Sequence, residues 1–188
     1  MRTDRVFLSS AAVFLVIVGG RESVAAQEHE VRAAVHYQWL RFPGTTFPAG
    51  VTGEVSAVIR TPVTVVAEVG WAPKQTQVAD LSATARMTNF AAGLRLMPAA
   101  SSFRPFVQVI AGGVNLSVRG TIGSVSGSGS ETWFQLEPGA GFHVDIGGRA
   151  AIAASAHVGR TFVGRASFEP PGQYAFRALT GISVQLSR

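Results

Sequence analysis

Cysteine is absent from the 188 residues, which excludes a disulfide scaffold and any thiolate metal site. Charge is scarce: 14% of residues are Asp, Glu, Lys or Arg, against about 25% in a typical soluble domain. Lysine is nearly missing, with Lys74 alone among the basic side chains, so the formal net charge of +5 rests on scattered arginines. No basic cluster marks a nucleic-acid surface, and no nucleic-acid partner is expected. After Ala26 no apolar run reaches the roughly 18 residues of a membrane helix. What the chain has instead is 21 glycines without a collagen period and 12 phenylalanines, which argue against disorder and against a fibre.

The first 26 residues read as a cleaved secretory signal. Arg2 and Arg5 precede an uncharged run from Val6 to Val18, and the small residues Val24-Ala25-Ala26 end the segment. The apolar run is too short for a transmembrane anchor. Residues 27–188 are then one domain that leaves the cytoplasm, lighter by three basic and two acidic side chains.

Across that domain apolar residues alternate with small or polar ones in eight segments of about 9 to 13 residues, long enough for tilted strands to cross a bilayer. Val31 to Trp39, Val51 to Ile59, Val63 to Trp71 and Asn89 to Leu96 come first. Phe106 to Val118 is fifth, with a change of phase at Gly112-Gly113 that suggests a bulge and puts Val114, Leu116 and Val118 on the apolar face. Phe134 to Ile146, Arg149 to Val158 and Tyr174 to Leu186 complete the set. Links after odd-numbered segments are long and polar (Arg41 to Gly50, Ala72 to Thr88, Ser117 to Thr132, Arg160 to Gln173), and those after even-numbered ones are short (Arg60 to Pro62, Met97 to Arg104, Gly147-Gly148). Long loops outside and short turns in the periplasm are the pattern of an outer-membrane barrel. The Gly/Ser run Gly120 to Ser130 reads as a flexible surface loop.

Alternation alone does not separate a membrane barrel from a soluble one that is apolar inside. The polar face decides: it is Gly, Ala, Ser, Thr and Gln with sparse Arg, Glu and Asp, which suits a crowded lumen. Pairing segments six and seven with indices summing to 294 sets Asp145 opposite Arg149 and Glu137 opposite His157, with Ile146-Gly147-Gly148 as the hairpin loop. Trp39, Phe42, Trp71, Phe90, Trp133, Phe134, Phe162, Tyr174 and Phe176 gather where segments meet long links, as one interfacial girdle; Phe103 and Phe106 form a thinner one at the other end.

On the stretches Asn89-Phe-Ala-Ala-Gly-Leu-Arg-Leu, Arg104-Pro-Phe-Val-Gln-Val-Ile-Ala-Gly-Gly-Val, Glu137-Pro-Gly-Ala-Gly-Phe-His-Val-Asp and Thr180-Gly-Ile-Ser-Val-Gln-Leu, the chain resembles the OmpA-like small outer-membrane β-barrel family over Gln27 to Leu186. The resemblance implies an all-β, eight-stranded, antiparallel up-and-down transmembrane barrel in the outer membrane. It also implies that Gly181, Val184 and Leu186 carry the signal read by the barrel-assembly machinery, although a terminal aromatic is lacking and Ser187-Arg188 follow.

Candidate chemistry is thin. His36, His143 and His157 are potential metal ligands, but the 294 pairing separates His143 from His157 along the ladder, so no metal and no cofactor are expected. Ser155 and His157 share a face, and Glu137 could orient His157 as in a Ser-His-acid set, yet they point into the lumen, and no catalytic residue is assigned. The long links carry six basic residues (Arg41, Lys74, Arg86, Arg119, Arg160, Arg165) against Asp80, Glu131 and Glu169, a balance compatible with anionic lipid headgroups or with ordinary solubility. Eight strands leave an interior that side chains fill. The expectation is a non-enzymatic outer-membrane barrel with a structural or surface-contact role through its long loops; the alternatives are a narrow porin-like channel, an outer-membrane lipid-modifying enzyme, and a secreted soluble barrel binding an apolar ligand.

Overall fold

A computed structural model describes residues 30–78, 81–98, 102–122, 125–162 and 174–187. The expected signal segment, residues 1–26, lies outside them. Eight strands form: β1 (Val31–Phe42), β2 (Thr45–Arg60), β3 (Val63–Val78), β4 (Leu81–Leu96), β5 (Phe103–Ile122), β6 (Val125–Gly147), β7 (Ala150–Phe162) and β8 (Tyr174–Ser187). Each pairs antiparallel with its neighbours, and β8 pairs with β1 to close the barrel.

The pairing fixes the geometry. Followed sideways from Arg160, the partners are Leu136, Ala111, Ala92, Ala67, Val55, Ala33, Val184 and then Ala150, ten residues back along β7. A stagger of ten over eight strands tilts each strand by about 40° from the barrel axis, so each residue climbs about 2.5 Å.

The two faces are inverted relative to a water-soluble protein. Outside, Val35, Val55, Leu94, Val107, Ile152, Ile182 and Leu186 are exposed; inside, Arg95, Arg177, Glu68, His143 and His157 are each about 2% exposed or less. From the level of Phe103 and Leu186 up to that of Trp39 and Trp71 the apolar outer band is about 25 Å tall, the height of a transmembrane barrel's lipid-facing zone. Trp39 meets Phe176 edge-on and Phe134 stacks at a tilt on Phe162 within the upper girdle.

Several local expectations need correction. Three of the four expected long links are mostly strand: β1 and β2 join through Pro43-Gly44, with Gly44 at φ 77°, while β3–β4 and β5–β6 continue paired to Val78↔Leu81 and Ile122↔Val125. The Gly/Ser run is therefore the end of a hairpin (Gly120↔Gly127, Thr121↔Ser126) rather than a flexible loop. Backbone pairing in such hairpins continues wherever neighbours are in register, whatever the side-chain polarity. No bulge occurs at Gly112-Gly113, which pair in unbroken register with Ala91 and Phe90. A register shift lies instead between Gln38 and Leu40 against β2. The β6–β7 ladder sums to 296, so His157 faces Gly139 and Asp145 faces Ala151, and the turn is Gly148-Arg149 after a shift at Asp145/Gly147. Positive φ at Gly147 (117°) and Gly148 (60°) accounts for the glycine pair at this turn.

Glycine matters most where backbones converge. A Cβ on Gly112 would lie 1.9 Å from the Phe90 carbonyl oxygen and 2.6 Å from Ala91 Cα, whereas one on Gly53 would meet nothing within 4 Å. Gly112→Val is expected to lose most of the folded species, by at least the 1–3 kcal/mol of an overpacked site, while Gly53→Ala keeps it; the fraction of unheated protein running as a compact band in detergent gels measures both.

Candidate functional site

The lumen holds the chain's buried polar chemistry, stacked in tiers because inward positions recur every second residue and each strand is offset from the next. At the lower mouth Arg104 bonds Asp145 and lies 3.6 Å from Glu30, which also bonds Arg32. Asp145 is thus held by Arg104 rather than by the expected Arg149.

Above it, Glu54 and Glu68 are direct cross-strand neighbours on β2 and β3, both buried. Like charges side by side repel, and each is offset by an arginine reaching across the barrel. Arg95 on β4 makes a two-bond fork to Glu54, 2.8 Å in each arm, and donates Nε to Gln108 at 2.7 Å. Its guanidinium sits 4.1 Å over the Phe106 ring, which meets His143 edge-on. Phe106, expected in the lower girdle, therefore packs inside the lumen, because β5 keeps its phase and even-numbered residues point inward. Arg177 on β8 bridges Glu68 of β3 and Glu137 of β6, the latter at 2.5 Å.

The sequence-derived Ser-His-acid set comes together only in part. His157 and Ser155 are within hydrogen-bond reach (Nε2 to Oγ, 2.9 Å), but His157 Nδ1 is 3.8 Å from Glu137, whose carboxylate is bonded to Arg177 and Gln135. All lie within the lumen, where the His157 ring is fully buried. His143 pairs with Ala153, four residues from His157's place on β7 and so about 13 Å along the strand. Among the described residues no group of three His, Asp or Glu side chains is placed to hold a metal ion.

Sequence reasoning missed the cap on this lumen. Leu40, Phe47, Ala72, Met87, Val114 and Ala175 form a buried apolar cluster inside the barrel, with Phe42, Ala85, Leu116 and Trp133 packed against it. Val114 and Leu116 were expected on the lipid face, and Phe42 and Trp133 in the girdle; the unbroken phase of their strands turns them inward. By the stagger, the cluster sits level with the upper girdle. Beneath it, a cavity bordered by Asn89, Ile110, Gln135 and Glu137 measures about 10 Å³, room for about one water.

Solved structures share this architecture. The fold is that of the small eight-stranded outer-membrane barrels. Ail, the attachment invasion locus protein of Yersinia pestis, superposes with a TM-score of 0.60 at 12% identity, covering 85% of this chain and 98% of its own. Neisserial surface protein A gives 0.59 at 12% identity (84% and 97%), and a major outer membrane protein of Thermus thermophilus gives 0.65 at 11% (83% and 99%). No family model matches the chain, and no curated protein matches its sequence. The outer face of this barrel segregates its charges by height. Between the short turns at the lower end and the girdle the outward positions of the strands are uncharged; the outward-facing Arg41, Arg86, Arg119 and Arg160 all lie at or above the girdle. Arginine on the lipid face destabilises a barrel by about 2–4 kcal/mol at the bilayer midplane and about 0–1 near the interface, which accounts for that placement.

Proposed function

We propose that the chain is a non-enzymatic barrel of the outer membrane, exported by residues 1–26 and inserted by the assembly machinery through its last strand. Its closed body acts as a rigid stem for surface contacts made by the β3–β4 and β5–β6 hairpins. The observation that carries this reading is the apolar cap: Leu40, Phe47, Met87 and Val114 fill the lumen at girdle height, above cross-barrel ion pairs that fill the middle. Ser155, whose hydroxyl is within hydrogen-bond reach of His157, lies below that cap, away from lipid and from the cell surface, which favours a non-enzymatic role. In the last strand Val184 and Leu186 face outward, and a Cβ on Gly181 would fall 2.0 Å from the Val35 carbonyl oxygen, so Gly181 lets β8 close against β1 as well as fitting the assembly signal. Ail, a neighbour of the same fold, is named for attachment and invasion, in keeping with a surface-contact role.

Purified protein in planar bilayers tests the closed stem. The expected result is no single-channel steps from preparations that are fully folded by gel mobility; discrete steps would favour the narrow-channel reading instead.

A further inference from the structure

The face formed by β7, β8 and β1 at the upper girdle carries two arginines that the lumen does not use. Arg160 is exposed, and its guanidinium lies 5.5 Å over the Phe162 ring and 5.9 Å over Tyr174. Arg41, also exposed, pairs across β8's other edge with Phe176. The register places Arg160 opposite Tyr174 and Arg41 opposite Phe176, two positions along, so the two residues stand about 12 Å apart between Cα atoms and at nearly one height. Among the described residues neither has a carboxylate within 4 Å, and the outward positions of the strands hold no Asp or Glu.

We infer that this face binds the phosphate of a lipid headgroup in the outer leaflet. A guanidinium is weakly hydrated, rests on aromatic faces and presents a donor fork that matches phosphate oxygens. The rings of Phe162, Tyr174 and Phe176 hold the pair at the depth where aromatic side chains meet headgroups. That is where a lipid phosphate lies, whereas a free anion is drawn equally to any exposed arginine. Arg86 is on β4, across the barrel, and Arg119 on β5 stands about 14 Å above Arg160, so neither belongs to this face.

The inference rests on the membrane reading above, and its test separates the two. The full mature chain with Trp71→Phe and Trp133→Phe retains Trp39, which touches Phe176 on this face. It is reconstituted in phosphatidylcholine vesicles in which either phosphatidylcholine or added phosphatidic acid is brominated, and Trp39 quenching is compared. Brominated phosphatidic acid is expected to quench at least about twofold more effectively per molecule. Arg41→Gln with Arg160→Gln removes the preference, Arg86→Gln with Arg119→Gln retains it, and low-millimolar inorganic phosphate leaves it intact. No preference in the folded parent, equal loss in both double variants, or abolition by inorganic phosphate would each overturn the inference. Failure to give a folded, vesicle-inserted species would instead contradict the membrane reading.

Discussion

Replacing Arg177 with methionine is expected to destabilise the folded barrel by about 3–5 kcal/mol, the loss seen when one member of a buried ion pair is removed and its partner charge stays behind. Two carboxylates are stranded here. Glu68 and Glu137 are both ion-paired with the Arg177 guanidinium, and Glu68 also has Glu54 directly opposite on β2. Solvent has little access to Glu68, and Arg95 is committed to Glu54 and Gln108. Neutralising the stranded groups tells the electrostatic account from simple packing loss: Arg177→Met combined with Glu68→Gln and Glu137→Gln regains most of the stability. Urea unfolding in vesicles, followed by tryptophan fluorescence, measures both. A single variant as stable as the parent, or a triple variant no better than the single, would show that the cross-barrel bridge does not hold the lumen together.

The cap gives the second large effect. Phe47 is 1% exposed and packs inside the barrel with Leu40, Met87 and Val114. Phe47→Ala is expected to destabilise by about 3–5 kcal/mol, less whatever solvent entering from the upper end restores. Adding Leu40→Ala removes the cap's centre on β1 and β2, and conductance steps absent from the parent then appear in planar bilayers. If the double variant stays silent while folded, the ion pairs below the cap are the real obstruction.

Which parts of this architecture can be read from sequence follows from what period two encodes. In β1, Arg32, Ala34, His36 and Gln38 alternate with Val31, Ala33, Val35 and Tyr37, and one face is lipid and the other lumen, so strand and orientation are both legible. The same holds for Tyr174 to Leu186 in β8. The pattern fails where both faces have one polarity. Around Val114 and Leu116 the lumen itself is apolar, so inward valine and leucine beside a glycine at the outer position mimic a phase change. Beyond the girdle both faces of the β5–β6 hairpin are small or polar, so Ser126 to Ser130 reads as a loop although its backbone pairs throughout. Register is the other illegible quantity: a two-residue error between β6 and β7 preserves every face and yet exchanges Glu137 for Gly139 as the partner of His157. Cross-barrel pairs such as Arg95–Glu54 and Arg177–Glu68 depend on the stagger of the whole ring, which no single strand contains.

Since the chain has no cysteine, single cysteines introduced along β5 report orientation directly. Spin labels placed one at a time from Pro105 to Ser117 in the reconstituted barrel are measured for accessibility to oxygen dissolved in the bilayer. A lipid-facing set of odd positions is predicted through Val107, Val109, Ala111 and Gly113, continuing in phase past Gly112-Gly113, with Gln108, Ile110, Val114 and Leu116 shielded. Maxima at the even positions, or a switch of phase at the glycine pair, would contradict a membrane barrel whose lumen is capped by apolar side chains.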